Sequence, residues 1–228
     1  MKSNGTQPVG VLIPSAPAAV SPRQYITNEI EDLLASLPDP ERLSASSRRG
    51  IIARYTAVLE GNFIYWMTAA YFSVGSTEAH TIIEDNLREE VRDNHPGMLR
   101  KFAVAARAVP TDLDVLAVQR NLQDVRLFVA GMSGEGILLM MALFEGFIQR
   151  FMPYLADLAI RQGSAEQEYT DVHGICDIAH TQELFRAFDA ELALAGESAT
   201  GLQNVEGIKV LRTLIENIIH DDKASGTR

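Results

Sequence analysis

The chain has 228 residues, 46% hydrophobic and 22% charged, with a formal net charge of −10 and a pI near 5.0. This is the composition of an ordinary globular protein long enough to bury a real core. An acidic chain with no basic block is not built to grip phosphates. Its single cysteine, Cys176, excludes both a disulfide framework and a Cys-rich zinc site, and points to a reducing cytoplasm.

Residues 1–20 are rich in Pro, Ala, Ser and Gly and lack the charged-then-apolar pattern of a signal peptide. They read as a mobile arm, and residues 221–228 as a mobile tail. Ser21-Pro22 is an N-cap followed by Pro at the first helical position. The helix after it carries Ile26, Ile30, Leu33 and Leu34 on one stripe and stops at Pro38 and Pro40. A long helical segment follows from about 46 to 73, with Phe63, Tyr65, Trp66, Tyr71 and Phe72. Ser76-Thr77-Glu78 starts a helix that runs to about 93. Pro96 interrupts it and opens the next helix, to about 107, with His95 at the junction.

Val109-Pro110-Thr111-Asp112 is a turn and a new helix start, to about 131. The stretch from Leu127 to Ile148 is long and apolar, but it contains Glu135, Glu145 and four glycines. A charge at a bilayer centre costs about 2.5–3.5 kcal/mol, so this stretch reads as a buried core helix, from about 136 to 160, with Pro153 as a point of kinking. Gly163-Ser164 is the next breaker. Helices are expected over about 165–183, 184–195 and 201–219. No β alternation or internal repeat occurs. The expected fold is all-α, a single helical domain over 21–220 between the two tails.

Of five histidines, two lie in one run, HGICDIAH. His173, Asp177 and His180 stand at i, i+4 and i+7, within roughly 60° of one helix face. Two imidazoles and a carboxylate on one stripe form a set that suits iron; the alternative is an Asp–His pair inside a bundle. Gly174 weakens this helix by roughly 1 kcal/mol relative to Ala, so metal binding is expected to firm it.

Further carboxylates are needed for two metals. Glu145 sits on the apolar face formed by Leu138, Met141, Ala142, Ile148 and Met152. A buried carboxylate needs a metal, a proton or a partner such as Arg150. In IIEDNLREEVRDNHPG, taking Leu87 as the core direction places Ile83 and Val91 about 40° to either side. Glu90 is then about 60° away and Glu89 roughly opposite. Glu90 is the core-facing acid on this reading, Glu89 the solvated one, and His95 is near enough to join Glu90; a solvated acidic run is the other reading. Glu60, among aromatics, is either an extra ligand or a surface residue. His80 and His220 have no partner pattern and read as surface residues.

The segments NLREE then H, ALFEG, and HGICDIAH, in this order in a helical chain of this length, resemble the haem-oxygenase-like diiron oxidases. The resemblance spans about residues 51 to 195 and implies a ligand set of Glu90, His95, Glu145, His173, Asp177 and His180. It also implies two Fe(II) ions with O2 as co-substrate. The expected activity is N-oxygenation, desaturation or C–C cleavage of a small amino-acid-like or fatty-acid-like molecule, of the sort used in natural-product biosynthesis, in a cytoplasmic homodimer without nucleic-acid or membrane partners. Ferritin-like proteins instead carry two Glu-x-x-His motifs, and this chain has none; a haem oxygenase needs an early proximal His, and none precedes His80.

The pocket is expected beside the metals, lined by the 63–72 aromatics and by Met140 and Met141 or else leaving these in the core, with an unspecified arginine for a substrate carboxylate. Two other readings stay open: a metal-independent, thiaminase-like or quinone-cofactor-synthase-like enzyme on the same fold with Cys176 as nucleophile, and a non-catalytic binding protein using helix 136–160 as its interface.

Overall fold

The computed structural model describes residues 20–195 and 205–220. The expected arm (apart from Val20), the tail and the first residues of the last expected helix lie outside them. The described residues form nine helices and no strand: α1 (Pro22–Ala35), α2 (Ala45–Leu59), α3 (Asn62–Ser73), α4 (Thr77–Arg92), α5 (His95–Ala105), α6 (Asp112–Val129), α7 (Gly134–Arg161), α8 (Glu168–Ala195) and α9 (Val205–Ile219). The protein is all-α, as its 3.6-residue periodicity implies.

The starts follow capping chemistry. Ser21, Ser44 and Ser76 accept hydrogen bonds from the backbone N–H of Gln24, Ser47 and Ala79, satisfying donors that a helix start otherwise leaves unpaired. Two boundaries differ from the sequence reading. The 46–73 segment is two helices, because the chain turns at Glu60-Gly61 with Gly61 at φ 78°, where a Cβ would be strained. The expected break at 184 does not occur: Leu184 is fully buried and α8 runs through it, since no proline or glycine interrupts there.

At the centre lies α7, whose residues from Gly134 to Ile148 are almost all buried. It is the one described helix long and apolar enough to cross a membrane, and 83% of that window is buried inside the protein. Its apolar surface is therefore mostly spent within the chain. Pro153 lies inside it without ending it.

α7 packs most extensively against α8. The two run antiparallel, for Gly174 lies against Met152 and Thr181 against Gly146, stepping back along one helix as they step forward along the other. Gly146 permits the approach: a Cβ there would lie 2.8 Å from Ile30 Cδ1 and 3.4 Å from Thr181 Cγ2. α4 and α5 also pack against α8. The polar core residues gather where α4, α5 and α7 approach α8.

Candidate metal centre

All six candidate ligands are buried, at 7% exposure or less. Three come from one face of α8. His173 directs its Nδ1–H to the carbonyl of Tyr169, one turn earlier, at 2.8 Å. A carbonyl only accepts, so the proton is fixed on Nδ1 and the Nε2 lone pair is left for a ligand.

His95 is the first residue of α5, delivered by Asn94 in the left-handed region at φ 55°. Its Nδ1 is 2.7 Å from Glu90 Oε1. Donor atoms of Glu90, His95 and His173 all lie within 4.8 Å of one another. Burial alone would lower the His95 pKa, but the hydrogen bond to Glu90 and the charges of Asp177 and Glu89 raise it. Burial lowers that of His173.

A second group adjoins the first. Cys176, Asp177 and His180 bring their donor atoms within 4.8 Å of one another. His180 Nδ1 is 3.7 Å from Asp177 Oδ1 and 3.3 Å from Glu145 Oε2. Burial raises the Glu145 pKa, against the pull of His180. For His180, burial opposes protonation, and contact with Asp177 and Glu145 overrides it and raises the pKa. Asp177 borders the first group as well, since it lines a cavity with Glu90, His95 and His173.

Glu145 is the sharpest indicator. It is 0% exposed, and neither carboxylate oxygen has a hydrogen-bond partner; the His180 contact is close but poorly aligned. Arg150, the alternative partner, points away and pairs with Glu31 at 2.6 Å. A buried carboxylate without donors is costly, and a cation beside His180 would satisfy it. Three carboxylates and three imidazoles fit a pair of divalent transition ions in donor type and in charge.

The helix-face reading of α4 needs correcting for Glu89. Leu87 is not the core direction: Val91 is 68% exposed, while Ala79, Ile82, Ile83, Asn86 and Glu90 are buried. Their mean direction lies nearer Asn86. That keeps Glu90 inside and moves Glu89 from the opposite face to about 75° from the core direction. From there the Glu89 carboxylate reaches His180 Nε2 at 3.4 Å.

The cavity, of about 30 Å³, is walled by Leu59, Phe63, Ile64, Leu99 and Ile148 and ends on Glu90, His95, His173 and Asp177. Phe63 is thus a lining residue as expected, whereas Trp66, Met140 and Met141 are in the core. Among the described residues, no arginine or lysine lines it. Glu60 stands at the rim, paired with Arg100. His80 is half-buried, its Nδ1 2.9 Å from the Ser76 carbonyl, and His220 is exposed.

Sequence reasoning overlooked Tyr169 and Tyr55. Their hydroxyls share a 2.7 Å hydrogen bond, and the Tyr169 ring lies 4.2 Å from that of His173. The i−4 spacing of Tyr169 from His173 was the available signal. Cys176 is half-buried, and burial pushes its thiol well up, the reverse of an activated nucleophile.

No protein-family model matches the chain, and no curated protein matches it.

Proposed function

We propose that this chain is a non-haem diiron oxidase or oxygenase that uses O2 to oxidise a small molecule, in line with its resemblance to the haem-oxygenase-like diiron oxidases. The observation that carries the reading is Glu145: a fully buried carboxylate without a hydrogen-bond donor, 3.3 Å from His180, beside two more carboxylates and two more imidazoles. Glu90, His95 and His173 would hold one ion; Asp177, His180 and Glu145 would hold the other. When bound, two ferrous ions supply electrons and open coordination positions for O2.

The protein's own part is binding, orientation and exclusion of water. Tyr169 fixes the tautomer of His173, so its ligand nitrogen is presented without rearrangement. Leu59, Phe63, Ile64, Leu99 and Ile148 offer apolar contact up to the polar floor of the cavity. These apolar side chains would meet an apolar part of a small substrate.

The test is anaerobic addition of ferrous iron, removal of unbound metal, and metal analysis, followed by oxygen-uptake measurements with alkyl acids and amino acids. The expected result is about two irons per chain, as in two-metal sites, and oxygen uptake that depends on them. A chain that retains no iron, or that turns substrate over without it, would overturn the proposal in favour of the metal-independent alternative.

A further inference from the structure

We propose that Cys176 supplies a thiolate to the metal position formed by Asp177, His180 and Glu145. The inference rests on the metal reading above and extends it, because the six-residue set of that reading contains no sulfur.

Cys176 is four residues before His180 on α8, so the two project about 40° apart on neighbouring turns. The Cys176 thiol donates to Asp177 Oδ1 at 3.2 Å. That oxygen is 3.7 Å from His180 Nδ1, and the same nitrogen is 3.3 Å from Glu145 Oε2. One ion bound at about 2.0–2.3 Å from each donor requires donors roughly 3–4.5 Å apart; the donor atoms of Cys176, Asp177 and His180 all lie within 4.8 Å of one another, and Glu145 Oε2 is next to the imidazole nitrogen of that group. The independent indication of a cation is Glu145, whose oxygens are buried and unpartnered, one of them facing the same imidazole nitrogen as Asp177.

On coordination, the proton that Sγ shares with Asp177 leaves to solvent as the sulfur–metal bond forms, and a coordinated thiol is held deprotonated by the ion itself. Asp177 Oδ1 is thereby released to bind metal. The two positions then differ in character. One, from Glu90, His95 and His173, offers only nitrogen and oxygen; the other is softer and favours thiophilic ions.

The test uses Co(II) in the full-length chain and in Cys176→Ser, which keeps a donor to Asp177 in a half-buried place. The visible d–d bands report bound cobalt whether or not sulfur is a ligand. The expected wild-type spectrum adds an intense near-ultraviolet thiolate-to-cobalt charge-transfer band, absent from C176S, with cobalt at that position bound at least about tenfold more weakly in the variant. Bound cobalt with d–d bands and no charge-transfer band overturns the thiolate and leaves the metal reading standing. Failure to bind cobalt at all overturns both. Iodoacetamide provides a second measurement that needs no variant: cobalt should protect Cys176 from alkylation, and equal rates with and without cobalt count against the proposal.

Discussion

His180 Nδ1 lies 3.3 Å from Glu145 Oε2 across the antiparallel pair of α7 and α8, and it is the only ion-pair partner of Glu145 among the described residues. This contact sets two opposing effects of one substitution. Glu145→Leu removes a buried carboxylate that lacks a hydrogen-bond donor while His180 keeps Asp177 and Glu89, and should stabilise the metal-free protein by about 1–3 kcal/mol. It should also abolish the thermal stabilisation that added ferrous or cobalt ions give the wild type. Thermal unfolding with and without metal checks both signs; a destabilised metal-free variant would mean that Glu145 is held by ordinary interactions.

The two adjacent glutamates of α4 should behave differently. Glu90→Ala, His173→Ala and His180→Ala each remove a proposed ligand and are expected to lose about one iron per chain and all turnover. Glu89→Gln keeps the length of a side chain that orients His180 through Nε2, and should weaken metal binding by about 10–100-fold without removing a ligand. Calorimetric metal titrations of the four variants would separate the classes. Wild-type affinity in Glu89→Gln would return Glu89 to the role of a solvated acid.

Gly174 interrupts the run of ligands on α8 with a residue of low helix propensity. A Cβ there would meet only Met152 Cβ, at 3.8 Å, an ordinary contact. Gly174→Ala should therefore stabilise the protein by about 1 kcal/mol, and the gain should be largest without metal, where the helix has no ligated ion to hold it. Denaturant unfolding of the metal-free variant is the measurement.

Away from the site, Asp114 carries an acid-dependent contribution to stability. Burial works against its ionisation, but Arg49 donates to both oxygens, at 3.1 and 2.6 Å, and Thr111 donates from its backbone and hydroxyl. Together they hold the carboxyl at about 2. A carboxylate depressed below its unfolded value of about 3.9 stabilises fully above that pH and loses the effect as pH falls toward the folded value. Asp114→Asn should thus cost about 1–2 kcal/mol at neutral pH, and its stability curve should converge with the wild type between about pH 4 and pH 2.

The HGICDIAH run could be read from sequence because all its information is local. Helix periodicity alone puts His173, Asp177 and His180 on one stripe, and Glu145 stood out as a carboxylate in an apolar run. The breakers were similarly legible at Pro38, Pro96 and Gly163. Glu89 was misread because the core direction of α4 was taken from Leu87 and Val91, and apolar character does not say which side a neighbouring helix covers. Val91 is exposed and Asn86 buried, the reverse of what hydrophobicity suggests, because α8 packs against α4 from the side on which Glu78 and Glu89 reach Arg186 and His180.

By itself, the sequence determined an all-α chain, the position of most helix ends and the alignment of three ligand-type residues on one helix, since capping, proline geometry and the 3.6-residue repeat act over a few residues. Tertiary structure alone decided that α4, α5 and α7 bring Glu89, Glu90, His95 and Glu145 to that stripe, and that Arg150 pairs elsewhere. Those distances depend on how close helices remote in sequence approach, which is set by packing at places such as Gly146 and not by any local pattern.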